Sequence, residues 1–216
     1  MNLMDVLLDT ANQRGAADRL YGVMVGIVTN NQDPEGLGRI KVKFPALSDD
    51  NESDWARLAM PMAGKERGLY FLPEVDDEVL VAFEHGDVRL PYVLGALWNG
   101  QDAPPAKNDD GKNNVRLIKS RSGHIIRLND EDGKEKIEIV DKSEKNSIVF
   151  DTATHTITIT TDQDIRLSAA KGTIKLEAQT IEIHSSTGGT KIEAGAGMDV
   201  TASQTMNLKG ATVNIN

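Results

Sequence analysis

The residues whose types and grouping raise the question of chemistry are four histidines and a few acidic clusters; the 216 residues include no cysteine. That absence removes thiol nucleophiles, thiolate-bound metals and a disulfide framework. His85, His124, His155 and His184 are widely spread, and no two stand at metal-ligand spacing. Carboxylates bunch at Asp49, Asp50, Glu52 and Asp54, and again at Asp130, Glu131 and Asp132. Acid–base catalysis needs a cleft that shifts carboxyl pKa values, whereas these runs lie among turn formers and read as solvated loops. Gly36-Leu37-Gly38 precedes a strand-like stretch instead of opening a helix, so it is no dinucleotide fingerprint. The run Gly195–Val200 (GAGMDV) matches a fragment of the calcium-binding nonapeptide only once, without tandem copies, and reads as a corner. Asn51-Glu52-Ser53 fits a glycosylation acceptor, yet the opening residues lack a basic lead, and Asp5 and Asp9 interrupt Val6-Leu7-Leu8, so no secretion signal brings it to the compartment required. The expectation is a protein that is not an enzyme and carries no cofactor or metal.

The elements that hold these residues divide into two kinds. Tyr21, Phe44, Trp55, Tyr70, Phe71, Phe83, Tyr92 and Trp98 all precede residue 100, and only Phe150 follows; the last prolines are Pro104 and Pro105. Aromatics dominate the buried area of compact cores, and prolines punctuate loops. Residues 20–100 therefore read as a globular domain. The polar, proline-bearing stretch 101–118 reads as a linker, and residues 119–216 must bury surface in another way. Ahead of the domain, residues 1–19 suit a short helical segment, with Leu3, Leu7 and Ala11 at helical spacing. Such a helix could pack on its own domain or on a partner. Within 20–100, VMVGIVTN, RIKVKFP, WARLAMPM, YFLP, EVLVAFE and YVLGALW are strand candidates. In the second, Ile40, Val42 and Phe44 alternate with Arg39, Lys41 and Lys43. Five or six short strands suit a small OB-type barrel.

Beyond Lys119 an apolar–polar–apolar unit recurs about every eight residues. Its occurrences are Ile137-Glu138-Ile139, Ile148-Val149-Phe150, Ile157-Thr158-Ile159, Ile165-Arg166-Leu167, Ile174-Lys175-Leu176, Ile181-Glu182-Ile183, Met198-Asp199-Val200, Met206-Asn207-Leu208 and Val213-Asn214-Ile215. Each unit is a strand with one buried face, and Gly, Ser, Thr, Asn and Asp between units supply corners. Burying one apolar side chain gains about 1.5–3 kcal/mol, whereas fixing eight backbones costs roughly 8–16 kcal/mol. Two apolar residues per unit leave little to bury inside a coil of one chain. Three chains wound on a common axis pool their seams and pair their backbones, so an intertwined homotrimer is favoured over a single-chain solenoid. Its expected core comprises Ile157, Ile159, Ile165, Leu167, Ile174, Leu176, Ile181, Ile183, Val200, Leu208, Val213 and Ile215. His155 shares the parity of Ile157 and Ile159, which would bring three copies to the axis; a surface or corner position is the favoured reading.

The stretches GRIKVKFP and WARLAMPMAGKERGLYFLPEVDDEVLVAFEHGDVRLPYVLGALWNG resemble the OB-fold domain of phage baseplate assembly protein V, shared with the spikes of contractile injection systems and type VI secretion. The carrying residues are Gly68, Phe71, Pro73, Asp77, Glu78, Val79, Phe83, Gly86, Asp87, Pro91 and Gly95. SGHIIRLNDEDGKEKIEI and the repeats after it resemble the trimeric β-helix of the same spikes. Three positions depart from the family pattern: Asp76 stands where Gly is frequent, and Val88 and Leu90 replace a Pro and an Arg. Asp tolerates the left-handed conformation, and the other two bear on which hub is recognised. The resemblance implies a membrane-piercing needle, assembled in the cytoplasm and carried by a virion or an extracellular or cell-bound injection particle. No hub-like domain precedes the barrel, which implies a separate hub, and the linker leaves no space for an inserted lysozyme domain. The nearest histidine to Asn216 is His184, too far for a histidine-held iron tip. A PAAR-type tip protein seated on Met206, Leu208, Val213, Asn214, Ile215 and Asn216 is therefore expected.

Two competing readings are an OB-fold nucleic-acid binder and a trimeric attachment fibre. Net charge is −9, which disfavours phosphate binding. No receptor-binding head follows the repeat. No apolar run approaches the roughly 20 residues of a membrane-spanning helix.

Overall fold

A computed structural model describes residues 19–47 and 52–214. The helical stretch expected over 1–19 lies outside the described residues except for Arg19, as do Asp49, Asp50, Asn51, Ile215 and Asn216. The fold is mainly β. A 3₁₀ turn at Glu84–Gly86 is the only helical element among the described residues.

Seven strands come from the first region: β1 (Val23–Asn30), β2 (Lys41–Lys43), β3 (Arg57–Leu58), β4 (Ala63–Gly64), β5 (Arg67–Gly68), β6 (Glu78–Phe83) and β7 (Pro91–Ala96). Five of them form a sheet in the order β2-β1-β6-β7-β3, in which only β3 and β7 run parallel. The outer strands are joined in turn by backbone bridges, Ile40 with Ala56 and Lys43 with Glu52. The first of these is made by two hydrogen bonds of 3.0 and 2.7 Å. The result is a five-stranded, partly open barrel of OB type. Bulges help it curl: Leu80 faces Gly95 while Val81 faces Val93, leaving Leu94 as the extra residue.

Alternation in sequence becomes alternation in burial. Ile40 and Val42 are fully buried and Phe44 nearly so, and on β6 Val79, Val81 and Phe83 point inward. Val28, Ala56 and Val93 complete the core, with the Phe44 and Phe83 rings 5.5 Å apart and tilted by 58°. These side chains exclude water within one chain, at about 1.5–3 kcal/mol for each large aliphatic one. The expected YFLP strand does not form: Tyr70 and Phe71 lie exposed beyond the β4–β5 ribbon.

A second sheet contains β8 (Val115–Lys119), β9 (Ile125–Asn129), β10 (Lys136–Val140), β11 (Ser147–Asp151) and β12 (Thr156–Thr160), every neighbour antiparallel. This differs from the sequence expectation at two points. Strand begins at Val115, inside the span expected as linker. The units up to Thr160 fold back on one another as hairpins instead of winding. The reason lies in the connections, which reverse the chain through left-handed residues: Gly123 at φ 103°, Gly133 at 73°, Glu144 at 61° and His155 at 55°. By contacts the chain divides into two units, Met1–Thr160 and Thr161–Asn216. The second, described to Asn214, is without strand pairing of its own.

Candidate functional site

The meander sheet presents a face that a single chain cannot use. Its register aligns Ile118, Ile126, Ile139, Ile148 and Ile159 in one row across the five strands, and Arg116, Leu128, Ile137, Phe150 and Ile157 in the next. The apolar members are exposed, from 39% at Phe150 to 67% at Ile157, except Ile148, which is half-buried. The opposite face mixes Leu117, Ile125, Val140 and Val149 with cross-strand ion pairs. These are Arg127 to Glu138 at 3.1 Å and Lys136 to Asp151 at 3.4 Å. Apart from Arg116, which pairs with Asp130, the side left open is thus aliphatic and aromatic. Contiguous apolar patches of this extent mark interaction surfaces.

Residues 161–214 have the same property without a sheet. Ile165, Leu167, Ile174, Leu176, Ile181, Ile183 and Val200 are 50–72% exposed. Met206, Leu208 and Val213, expected under a tip protein, are 46–67% exposed, and Asn214 is exposed as well. Side chains of the intervening positions form short ion pairs along the chain, Lys175 with Glu177 at 2.6 Å and Lys191 with Glu193 at 2.5 Å. From Ile165 to Asn214 the backbone bond that closes on the segment itself runs from Gly172 N to Ala169 O.

The residues that carried the family resemblance are mostly architectural. Val79 and Phe83 are in the core and Pro91 is buried. The Pro73 carbonyl accepts a bond from Asn31 Nδ2 at 3.0 Å, and the Asp77 carboxylate accepts the Glu74 amide at 2.8 Å. Glu78 accepts from Asn99 Nδ2 at 3.2 Å. A Cβ on Gly68 would stand 2.8 Å from the Met62 carbonyl oxygen. Gly86 sits at φ 76°, with Arg19, Leu20 and Tyr21 atoms 3.2–3.3 Å from where a Cβ would be. Gly95 has open space instead and pairs opposite Leu80 at the bulge. Phe71 stands apart at 57% exposure, beside Leu69 and Tyr70, and no packing among the described residues accounts for it. Asp76 takes φ 76°, so the substitution for Gly keeps the left-handed turn. Val88 and Leu90 are exposed.

Two carboxylate clasps hold the barrel loops. Asp33 binds Arg39 through Nε at 2.9 Å and Nη2 at 2.8 Å, and it accepts the amides of Glu35, Leu37 and Arg39. The Arg39 guanidinium, with those amides, holds the Asp33 carboxyl well below the usual range. Arg89 does the same to Asp87, through bonds of 2.9 and 2.7 Å.

The Arg39 and Lys41 cations approach the Trp55 ring at 5.9 and 5.5 Å. Such aromatic–basic grouping is used to stack nucleotides. Here, however, Arg39 is held by Asp33 and Glu35, and Lys41 by Glu52 at 2.7 Å, so both charges are already matched. The histidines occupy separate elements. His85 is in the 3₁₀ turn, His124 accepts the Lys142 amide at Nδ1, His155 is in the β11–β12 turn, and His184 lies in the second unit. Among the described residues no three His, Asp or Glu side chains are grouped to hold a metal, and no helix is long and apolar enough to cross a membrane.

The repeat identified Ile157 and Ile159 as core residues of the expected needle. It left Ile118, Ile126 and Leu128 out of that core, although the register brings them onto the same face. The alternation within RLIK and IIRLN was the signal available for them.

Residues 24–98 match the family described as the type VI secretion system/phage-baseplate injector OB domain. The type VI secretion system spike protein VgrG5 of Pseudomonas aeruginosa is 33% identical over 135 residues, 55% of this chain and 17% of that protein. VgrG3 of Vibrio cholerae, a spike protein of the same kind, is 31% identical over 110 residues, 47% of this chain and 11% of its own length. The actin cross-linking toxin VgrG1 of Vibrio cholerae is 31% identical over 108 residues, 46% of this chain and 10% of the toxin. The chain spans less than a fifth of the length of these relatives. Residues 24–98 thus build an injector OB domain of the type VI secretion and phage-baseplate kind, and the chain is similar through it to type VI spike proteins.

Proposed function

We propose that the chain is a structural spike of a contractile phage tail or phage-tail-like injection system, active as a homotrimer and without enzymatic chemistry of its own. The observation that carries this reading is the segment from Ile165 to Val213, where regularly spaced apolar side chains stay 46–72% exposed. Buried or ordered backbone must find hydrogen-bond partners. A segment that leaves both its backbone groups and its apolar side chains unsatisfied alone is satisfied by other chains. Three copies wound about one axis turn the apolar positions inward and the Lys, Glu, Asp, Thr and Asn positions outward. A shaft built so resists shear, because each chain is covalently continuous along it and hydrogen-bonded to its neighbours. The exposed face of the meander sheet supports the same assembly nearer the barrel.

The domain scheme that goes with this is a barrel over 20–100, a connecting stretch that ends where β8 begins at Val115, and a shaft made of the meander sheet to Thr160 and a wound needle after it. Function then follows from shape and stiffness. The needle crosses a target envelope when the apparatus contracts, the barrel seats on a baseplate hub, and a PAAR-type tip protein covers Met206, Leu208, Val213 and the residues after them. Assembly takes place in the cytoplasm before the particle is deployed. The matched cations beside Trp55 make a nucleic-acid role the weaker alternative.

Light scattering tests the core of the proposal. One chain weighs 23.5 kDa, so the assembly should weigh about 70 kDa and persist in detergent. A monomer at micromolar concentration would refute it. For the tip, a PAAR-type protein should bind the intact assembly and not one truncated before Met206.

A further inference from the structure

The barrel carries an apolar groove that the described residues leave uncovered. It lies between the loop at Gly36–Arg39 and the β4–β5 ribbon and encloses about 1050 Å³. Leu37, Met62, Leu69 and Tyr70 line it, and all four are exposed. That volume is at the upper limit of what a small ligand fills, whereas apolar grooves of this kind take one face of an amphipathic peptide segment. Arg57 and Arg67 share the lining. Arg57 has the ring and hydroxyl of Tyr92 as partners, and Arg67 lies beside Gly64; neither is ion-paired among the described residues. Arg39 in the same lining is matched by Asp33 and Glu35. With Glu66 counted against them, the two free guanidiniums leave the groove positive.

We propose that this groove receives residues 3–9 of the same chain, with Leu3, Val6 and Leu7 on its apolar lining and Asp5 and Asp9 toward Arg57 and Arg67. Residues 1–18 lie outside the described residues, and the chain enters at Arg19. The chemistry of the segment fits. Leu3-Met4-Asp5-Val6-Leu7-Leu8-Asp9 combines five large apolar residues with two acids and no base. Leu3 and Leu7 stand four apart, as do Asp5 and Asp9, so helical spacing sets an aliphatic face against an acidic one. The point of entry fits as well. Arg19 bridges to Asp87, and the Leu20 amide donates to the Gly86 carbonyl at 2.9 Å. Side chains join that turn to the groove: the Tyr92 hydroxyl donates to Glu84 at 2.6 Å, and the Arg57 guanidinium stands 5.5 Å from the Tyr92 ring centroid.

The length of chain suffices. Extended backbone from Asp9 to Arg19 covers up to about 33 Å, and a domain of some 80 residues is roughly 30 Å across. A tether this short holds the segment at about millimolar effective concentration beside its own barrel, an advantage that neither a second copy nor a hub protein shares. Occupancy covers Leu37, Leu69 and Tyr70, which the barrel core does not take in. The contact concerns the barrel alone and does not depend on the number of copies in the spike.

The chain has no cysteine, so introduced thiols report without background. In the full chain, Leu7→Cys with Leu69→Cys should form an intrachain disulfide on mild oxidation. Mass spectrometry should find it as the tryptic peptide ending at Arg14 linked to the one beginning at Gly68. Leu3→Cys with Leu37→Cys is a second pair, used if the first disturbs the ribbon. Leu7→Cys with Leu94→Cys, exposed on β7 and outside the groove lining, is the control and should link about tenfold more slowly. Arg57→Glu with Arg67→Glu should slow the groove linkage about threefold, and adding Asp5→Lys with Asp9→Lys should restore it. Linkage that appears only between copies, as disulfide-bonded dimers on a denaturing non-reducing gel, overturns the placement within one chain. Linkage of both groove pairs at the control's rate overturns the docking and leaves the groove to a partner protein.

Discussion

The barrel and the strands after it use the same aliphatic alternation and reach opposite outcomes. In the barrel, Val28, Ile40, Val42, Val79 and Val81 are fully buried because the sheet curls until its edges meet and its inner face covers itself. In the meander, Ile126, Leu128, Ile137 and Ile139 are 41–45% exposed because five strands joined by short hairpins make an open sheet that no other described residues cover. After Thr160 even the sheet is gone. One region is a folding unit in itself. On the proposed trimeric reading the other folds only in the plural, and its stability should then depend on concentration as well as sequence.

This contrast can be tested from both sides. The largest effect is expected from Ile139→Asp on the open sheet face. A charge placed in the proposed shared core should shift the solution mass from trimer to monomer, while the near-ultraviolet circular dichroism of the barrel aromatics stays unchanged. Conversely, Ile40→Ala inside the barrel should leave subunit number unchanged and lower barrel stability by about 2–5 kcal/mol in denaturant titrations. A smaller loss, about 1–3 kcal/mol, is expected for Gly86→Ala, where φ is 76° and the new methyl meets Arg19, Leu20 and Tyr21 atoms within 3.3 Å. Gly95→Ala, in open space, should stay within about 0.5 kcal/mol of the parent.

The smallest effect concerns acid. Asp33 and Asp87 have carboxyls depressed by Arg39 and Arg89 respectively. A carboxyl whose folded pKa is lowered contributes stability above its unfolded value near ~3.9, and that contribution is lost as pH falls below it. Barrel stability should therefore drop below about pH 4, and Asp33→Asn should flatten that slope. In the meander, Asp141 is held at about 2 by Ser143 and Asn146. The β10–β11 turn should accordingly lose its clasp as pH falls toward about 2, while the barrel clasps at Asp33 and Asp87, held lower still, persist to more acid pH, a difference readable by hydrogen exchange.

Periodicity made much of this legible without coordinates. The alternation of Ile40, Val42 and Phe44 marked an inward face, and these three are in the core. Asp76 was readable as a left-handed residue, and it is one. WARLAMPM and YFLP were harder, because their apolar residues suit a strand locally. Of WARLAMPM, Arg57–Leu58 pairs with β7 over a short overlap and Ala56 bridges to Ile40, and Leu69–Phe71 goes to an exposed loop. Hairpin and wound coil also look alike in a repeat of about eight residues, because both alternate with period two. The positive-φ turns at Gly123 and His155 separate them.

The open sheet face therefore has two sources. Its composition was written in the chain: aliphatic residues at every second position, few aromatics after residue 100, and polar corners between. Which residues share that face was decided by pairing register, which sets Ile118, Ile126, Ile139, Ile148 and Ile159 in line across strands far apart in sequence. The same holds for the barrel, whose closure by Ile40 and Ala56 is a long-range backbone contact with no local signature. Side-chain alternation is a property of neighbouring residues and can be read one strand at a time. Register and closure depend on where distant backbones hydrogen-bond, and only the folded arrangement specifies that.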